Sequence, residues 1–266
     1  MSAVESARRI ARASGFLAVT PTLLAGYSVH DALKARRLRG APKVTRESEV
    51  LRDRWVAVWS DAVLRIFGLR VMMIGNAEAP RGGRMVVSNH RGVADVLVLL
   101  RTLGGRMVSR ADLSQWPLIG IGGRRLGTVF VDRERATSGA KTIRTIRELL
   151  RSGATVTIFP EGTTYAGDEV RPFHAGGLAA ALGTHAEIVP VGLAYSRDSR
   201  AAFLDESFTD HLSRMAAAPP SFVVVSVGAP MEIAANTRAA ALAAVTREAV
   251  VREVTRARAE ADRHER

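Results

Sequence analysis

The alternation of short β-branched runs with helical stretches is the feature that most constrains the fold of this chain. From residue 69 onward, apolar runs of strand length are separated by segments with helical periodicity. The predicted strands are 69–74, 84–88, 127–131, 154–159, 187–194 and 222–227, and the predicted helices are 93–102, 136–152, 176–183 and 237–261. Strands that alternate with helices are typical of βαβ units. The sequence therefore predicts an α/β fold, with a layered, mostly parallel sheet flanked by helices.

Length and composition bound the kind of protein further. A chain of 266 residues that is 47% hydrophobic can bury a sizeable core without covalent staples. It contains no cysteine, which excludes a disulfide scaffold, a thiolate-ligated metal site and a thiol nucleophile. We expect three parts: a membrane-docking helical segment over residues 1–68, an α/β domain over 69–235 and a C-terminal surface helix over 236–266.

The chain is strongly basic, with a net charge of +12. Residues 1–60 carry 11 basic and 5 acidic side chains, so half of the excess lies near the amino end. Such a charge attracts polyanions, either nucleic acid or an anionic membrane surface. Aromatic residues make up only 5% of the chain and no recognised nucleic-acid motif is present. Nucleic-acid binding is therefore the remote alternative, and an anionic membrane is the expected partner.

Residues 13–29 form a run of 17 residues without a charge, and basic residues flank it on both sides. The run contains Pro21 and is short for a spanning helix, which needs about 20 apolar residues. Two basic flanks favour a segment that lies in one leaflet. A single spanning helix, a plain buried helix and a signal peptide are the alternatives. We expect a peripheral, monotopic or single-anchor protein at the cytoplasmic face of the membrane.

A second amphipathic stretch covers residues 55–73. Trp55, Val58, Trp59 and Ala62 follow helical spacing, with polar residues on the other side. Two interpretations remain open for this stretch. It is either a helix packed on the core or a helix that lies on the membrane with its tryptophans at the interface.

One histidine stands where general-base chemistry is expected. Predicted strand 84–88 runs directly into Asn89 and His90, and Asp95 follows in the first turns of the next predicted helix. In open parallel sheets, chemistry usually lies beyond the carboxyl ends of the strands. A carboxylate there can hold one ring nitrogen protonated and aim the other at a substrate hydroxyl. No other histidine has ligand-like partners at metal spacing, so we expect neither a metal nor a cofactor.

Three further blocks stand at or near predicted strand ends. They are Val129-Phe-Val-Asp-Arg133, Phe159-Pro-Glu-Gly-Thr163 and Ile188-Val-Pro-Val-Gly-Leu193. Together with Asn89-His90 and Asp95, in this order and spacing, they resemble the glycerolipid acyltransferase family. The best-known members of that family are the 1-acylglycerol-3-phosphate acyltransferases. The resemblance covers residues 55–195.

The resemblance implies a reaction and a set of roles. An acyl chain would move from acyl-CoA or acyl carrier protein, as co-substrate, to the free hydroxyl of a membrane lyso-lipid. His90 would be the general base and Asp95 its orienting partner. Arg133 would bind the phosphate of the acceptor, and Glu161, Gly162 and Thr163 would hold its polar head. Asn89, beside the base, is counted with these substrate-binding candidates.

Two positions depart from the family pattern. Thr164 stands where many lysophosphatidate-using members have arginine, and Gly92 stands where the family often has serine. We expect 1-acyl-sn-glycerol-3-phosphate as acceptor, giving phosphatidic acid, with Arg171 or Arg110 replacing part of the missing charge. The alternative acceptors are lyso-ornithine lipid and other lysophospholipids, because E-G-T-T also occurs in relatives associated with those lipids.

Overall fold

A computed structural model describes residues 2–37, 46–76, 78, 80, 82–115, 120, 122–124, 127–131 and 136–266. Within these residues, seven strands form one sheet: β1 (Leu69–Ile74), β2 (Arg84–Ser88), β3 (Arg106–Arg110), β4 (Val129–Val131), β5 (Thr155–Ile158), β6 (Glu187–Tyr195) and β7 (Ser221–Val227). The helices are α1 (Ala3–Arg37), α2 (Arg46–Ile66), α3 (Val93–Thr102), α4 (Ala136–Arg151), α5 (Ala175–Leu178), α6 (Phe208–Ala217) and α7 (Ala239–His264). A 3₁₀ turn covers Ala111–Gln115.

The sheet has the strand order β1-β7-β6-β2-β5-β3-β4. Neighbouring strands are parallel except for β6 and β7, which are antiparallel. The five strands from β6 to β4 therefore share one direction, and their carboxyl ends meet at one edge. This edge is where an open α/β sheet usually binds its ligands.

Helices cover both faces of the sheet, so its central strands are buried on both sides. Met85 and Val87 of β2 pack in the cluster with α4, α5 and α7, while Val86 between them packs with α3 and α6. Successive side chains of a strand point to opposite faces, which is why these strands are continuous apolar runs. Gly192 of β6 lets α7 approach closely, because a Cβ there would lie 2.1 Å from the carbonyl carbon of Glu253.

The predicted α/β architecture is confirmed, and several predicted elements coincide with observed ones. Strand β3 and helix α6 have no predicted counterpart. Strand β3, Arg-Met-Val-Ser-Arg, has only two apolar residues between charged ends. Helix α6 is short, and its start signal is the Ser207 hydroxyl, which accepts a hydrogen bond from the backbone N–H of Asp210. Predicted helix 176–183 is shorter in the structure, as α5.

The amphipathic stretch 55–73 divides at a glycine. Helix α2 ends at Ile66, Gly68 adopts φ +71°, and the last residues of the stretch belong to β1. The helical part packs on the core, with Val56 and Leu64 buried. The indoles of Trp55 and Trp59 donate to His30 Nδ1 and Thr20 Oγ1 of α1, at 3.2 and 3.1 Å. Both tryptophans therefore face α1.

The uncharged run 13–29 lies inside α1, which continues through Pro21. Among the residues that the structure describes, no helix combines the length and the apolarity needed to cross a bilayer. The C-terminal segment forms α7, which buries one face on β6 and β7 and exposes the other.

Arg12 attaches α1 to the carboxyl end of α6. Its side chain is buried, and Nη1 donates to the carbonyl oxygens of Met215, Ala216 and Ala218 at 3.2, 3.3 and 2.7 Å. The last carbonyls of a helix have no intrahelical partner and carry partial negative charge, so a guanidinium there satisfies them. Arg8 donates to the carbonyl of Ala217 in the same way. These arginines of the amino-terminal basic flank thus contact the protein itself.

We expect Arg12→Met to lower the free energy of unfolding by about 2–3 kcal/mol, because buried carbonyls lose a charged donor. Arg9→Met is the matched control, since the contact of Arg9 within the described residues is a hydrogen bond of 3.3 Å to the side-chain hydroxyl of Ser213. Urea unfolding followed by circular dichroism measures both variants. Equal stability of the two would contradict the capping role of Arg12.

Candidate active site

The carboxyl ends of the parallel strands bring the sequence motifs to one edge of the sheet. Beyond β2 lie Asn89 and His90, and beyond β5 lie Phe159 and Glu161. Strand β6, which pairs with β2 on the side opposite β5, ends at Tyr195. Residues from three separate parts of the chain therefore surround His90.

His90 and Asp95 form a dyad. His90 Nδ1 lies 2.8 Å from Asp95 Oδ2. A carboxylate accepts hydrogen bonds, so this contact assigns the ring proton to Nδ1 and leaves Nε2 as an acceptor. The His90 side chain is 20% exposed, whereas Asp95 is fully buried. The geometry leaves Nε2 free to accept a proton from a substrate, while the Asp95 carboxylate has no contact with solvent.

Asp95 also accepts hydrogen bonds from backbone N–H groups at the start of α3 that have no partner within the helix. Its Oδ2 atom accepts the backbone N–H groups of Arg91 and Gly92, at 2.5 and 2.9 Å. The amino end of a helix has unsatisfied N–H groups and a positive potential, which favours a carboxylate at this position. One side chain therefore begins the helix and orients the histidine.

The ring of His90 is held by stacking. Phe159, which follows β5, lies parallel to it, with ring centroids 4.0 Å apart and an interplanar angle of 9°. The backbone carbonyl of His90 accepts a hydrogen bond of 3.0 Å from the N–H of Tyr165. The histidine is thus fixed from both its side chain and its backbone.

Glu161 connects the two loops that follow β2 and β5. Its two carboxylate oxygens accept the backbone N–H groups of His90 and Arg171, each at 3.2 Å. Burial raises the pKa of Glu161, and the two backbone donors oppose that shift. Gly162 turns the chain here at φ +80°. In this structure Glu161 shapes the pocket around His90 through backbone contacts.

Asn89 is likewise engaged with the backbone. It is 1% exposed, and its side-chain amide exchanges two hydrogen bonds with Leu193 of β6, at 3.0 and 2.9 Å. These bonds continue the pairing of β2 with β6 past Ser88. Asn89 therefore fixes the direction in which the chain leaves the strand toward His90.

The other predicted binding residues are more dispersed. Thr163 is exposed on the turn after β5. The Arg171 guanidinium contacts Glu169 Oε1 at 3.2 Å and lies 5.1 Å from the ring centre of Tyr165. Arg110 ends β3 at the same sheet edge, but its side chain lies outside the described residues, as does the whole of Arg133.

The structure adds residues to the site that the sequence patterns do not indicate. The Tyr195 hydroxyl donates to Asp95 Oδ1 at 2.5 Å, across 100 residues of sequence. Burial, together with the neighbouring Asp95 carboxylate, raises the pKa of Tyr195 well above its usual range, so the phenol keeps its proton. The only signal in the sequence is a tyrosine at the end of an apolar strand.

An apolar cavity of about 460 Å³ lies between α1, α2, α3, α6 and the strands β3 and β4. Its walls include Phe16, Trp59, Leu97, Met107 and Leu212. Val93 and Ala94, which open α3, also line it, so the cavity reaches the helix turn that carries Asp95. Within the described part of the chain, no group of three or more His, Asp or Glu side chains is placed to hold a metal ion.

Comparisons with known proteins agree with this architecture. The acyltransferase family profile matches residues 70–194. A lyso-ornithine lipid O-acyltransferase of Pseudomonas aeruginosa is 32% identical over 212 residues, which are 78% of this chain and 77% of that protein. A 1-acyl-sn-glycerol-3-phosphate acyltransferase of Neisseria meningitidis is 26% identical over 66% of this chain and 68% of that protein.

A solved structure shows the same fold. The 1-acyl-sn-glycerophosphate acyltransferase of Thermotoga maritima superposes with a TM-score of 0.72 at 18% identity, over 95% of this chain and 97% of that one. The family predicted from the four motifs is confirmed by these similarities. The chain therefore belongs to the glycerolipid acyltransferase family and is an O-acyltransferase.

Proposed function

We propose that this protein transfers a fatty acyl group from a thioester, acyl-CoA or acyl carrier protein, to the free hydroxyl of a lyso-lipid, with His90 as the general base. The observation that carries the proposal is the contact of 2.8 Å between His90 Nδ1 and Asp95 Oδ2, which leaves Nε2 basic and accessible. Histidine is the side chain that acts most often as a general base in enzymes.

The transfer needs no covalent acyl-enzyme. Nε2 of His90 takes the proton of the acceptor hydroxyl while the hydroxyl oxygen attacks the thioester carbonyl carbon. The tetrahedral intermediate then collapses, the C–S bond breaks, and the leaving thiolate takes the proton from His90. Asp95 stabilises the imidazolium that forms in between. The chain has no cysteine that could act as nucleophile, in keeping with direct transfer.

The apolar cavity is the proposed site for an acyl chain. Its lining is almost entirely aliphatic and aromatic, and it reaches Val93 and Ala94 in the helix turn that carries Asp95. Burying each methylene of a chain is worth about 0.8 kcal/mol, so a long chain held there would add substantially to binding.

As acceptor we propose lyso-ornithine lipid. The Pseudomonas relative that carries this name is 32% identical, against 26% for the Neisseria 1-acylglycerol-3-phosphate enzyme. At position 164 a threonine replaces the arginine that would bind a phosphate monoester. The Arg171 guanidinium already contacts the Glu169 carboxylate and the Tyr165 ring. Lysophosphatidate remains the second candidate, because the Arg133 position of the family motif is retained.

For the membrane we propose that α1 and α2 lie on an anionic surface at the cytoplasmic face. Large apolar side chains are exposed along both helices: Val4, Ile10, Leu17, Val29 and Leu33 on α1, and Val50 and Val58 on α2. Arg36 and Arg54 are exposed near them. Apolar insertion combined with basic residues is the usual basis of interfacial binding.

We expect His90→Ala and Asp95→Asn each to lower kcat by about 10²–10⁴-fold while the fold is kept, because both remove general-base catalysis. Acyl transfer from labelled acyl-CoA to a lyso-lipid measures the loss. His264→Ala, an exposed histidine on α7, is the control that should keep full activity. A His90→Ala enzyme with more than a tenth of the wild-type kcat would refute the assignment.

An acceptor panel with one labelled acyl-CoA tests the substrate. We expect kcat/KM to be at least about tenfold higher for lyso-ornithine lipid than for lysophosphatidate, given that a charged hydrogen bond is worth roughly 1.5–3 kcal/mol. On this proposal Arg133→Ala and Arg171→Ala change kcat/KM little. A preference for lysophosphatidate, together with a ten- to hundredfold loss in Arg133→Ala, would establish the second candidate instead.

Vesicle binding tests the docking face. The double variant Leu17→Asp/Val29→Asp should reduce co-sedimentation with phosphatidylglycerol vesicles at least about tenfold, because each buried side chain contributes roughly 1.5–3 kcal/mol. Val245→Asp/Val251→Asp introduces the same charges at exposed positions of α7 and should bind as wild type. Equal loss in both double variants would show that charge alone, and not this face, determines binding.

A further inference from the structure

The Asp95 carboxylate is part of a closed ring of hydrogen-bonded residues. Its members are Asp95, Tyr195, Arg258, Asp168 and Arg91, and they come from α3, β6, α7 and two loops. Two carboxylates and two guanidiniums alternate around the ring, so their formal charges cancel. Within the described part of the chain, Asp95 is the member of this ring of residues to which His90 hydrogen-bonds.

The two oxygens of Asp95 have unequal partners. Oδ2 receives three donors: His90 Nδ1 and the backbone N–H groups of Arg91 and Gly92. The hydrogen bond found on Oδ1 comes from the Tyr195 hydroxyl at 2.5 Å. A buried carboxylate oxygen without a donor is costly and binds a proton more readily. Tyr195 therefore satisfies this second oxygen and fixes the orientation of the carboxylate.

Helix α7 supplies the other half of the ring. Arg258 Nη2 donates to the backbone carbonyl of Tyr195 at 2.7 Å, and the same guanidinium binds Asp168. Asp168 in turn accepts Arg91 Nη2 at 2.6 Å. Arg91 is the residue next to His90, and its side chain is 6% exposed. Arg258 thus holds Tyr195 directly and the His90 loop through Asp168.

Two other titratable groups approach the dyad from neighbouring elements. Glu161 contacts the His90 backbone from the loop after β5. From α6, His211 lies close enough to interact electrostatically with Asp95, and burial lowers its pKa, so its ring favours the neutral form. None of these described groups donates to Oδ1, which leaves Tyr195 as the group whose removal changes that oxygen.

We propose that Tyr195 is a positioning residue that acts on catalysis through Asp95, and that Arg258 and Asp168 keep it in place. The proposal rests on the proposed function of His90 and Asp95. Tyr195 does not reach the reacting atoms; it holds Asp95 Oδ1 and so keeps the carboxylate turned toward His90 Nδ1.

The first test is Tyr195→Phe, which keeps the ring and removes the hydroxyl. We expect kcat to fall about tenfold with KM for the lyso-lipid unchanged. The acid limb of the kcat/KM profile should move to higher pH by about one unit, because a carboxylate that has lost a donor attracts the His90 imidazolium more strongly. Loss of activity with an unmoved acid limb would reduce Tyr195 to a packing residue and overturn the proposal.

A double-mutant cycle isolates the route of action. If Tyr195 acts through Asp95, Tyr195→Phe should cost less than threefold further in the Asp95→Asn background, where the carboxylate is gone. Multiplicative losses in the double variant would show that the two residues act independently. That result would overturn the inference while the His90 variants still decide the proposed function separately.

The distal half of the ring is tested on α7. Arg258→Met and Asp168→Asn should each lower kcat about three- to tenfold and move the acid limb in the same direction as Tyr195→Phe. Arg263→Met is the matched control, since Arg263 forms an exposed ion pair with Glu260 on the same helix. If Arg258→Met unfolds, Arg258→Lys takes its place. Wild-type pH profiles in the folded Arg258 and Asp168 variants would contradict the part assigned to α7.

Discussion

The buried carboxylate of Asp95 is the constraint on which the rest of the site depends. A charge with no solvent contact requires several donors, and the structure supplies four: the His90 ring, two backbone N–H groups and the Tyr195 hydroxyl. Gly92, which supplies one of these N–H groups, is a glycine for a steric reason. A Cβ at Gly92 would lie 2.2 Å from the carbonyl oxygen of Ala201, in the segment whose Phe203 N–H binds the Arg91 carbonyl. Serine, common at this position in the family, would not fit beneath that segment.

The first turn of α3 separates the polar surroundings of the dyad from the apolar cavity. The first turn of this helix presents Asp95 toward the sheet edge and Val93 and Ala94 toward the cavity. A lipid substrate needs both environments within a few ångströms, because its reacting group is polar and its chain is not. Helix α1 completes the apolar side with Phe16 and its neighbours, while its exposed residues face away from the body.

The sequence was sufficient for the elements with strong local signals and for the dyad. Strands β1 and β2 and helix α3 are predicted to the residue, because apolar runs and periodicity are local properties. The contact of His90 with Asp95 could be expected because both follow β2 and lie only five residues apart, at the start of α3. Arg12 belongs to the basic residues that flank the uncharged run 13–29, which the sequence assigns to the membrane surface. In the structure its side chain contacts α6, more than 200 residues away. Tyr195 and Arg258 were missed for the same reason: nothing in a local window indicates their partners.

The joining of α1 to α6 through Arg12 has a consequence for how the protein is made. The partners of Arg12 follow it by 203 to 206 residues. At about 5–20 residues per second, a ribosome needs roughly 10–40 s to produce them. During that interval α1 has emerged with its cavity-lining side chains uncovered and its guanidinium without carbonyls. Helix α1 is thus made well before the helix end that its arginine caps, and it can take its final place only after α6 has been produced.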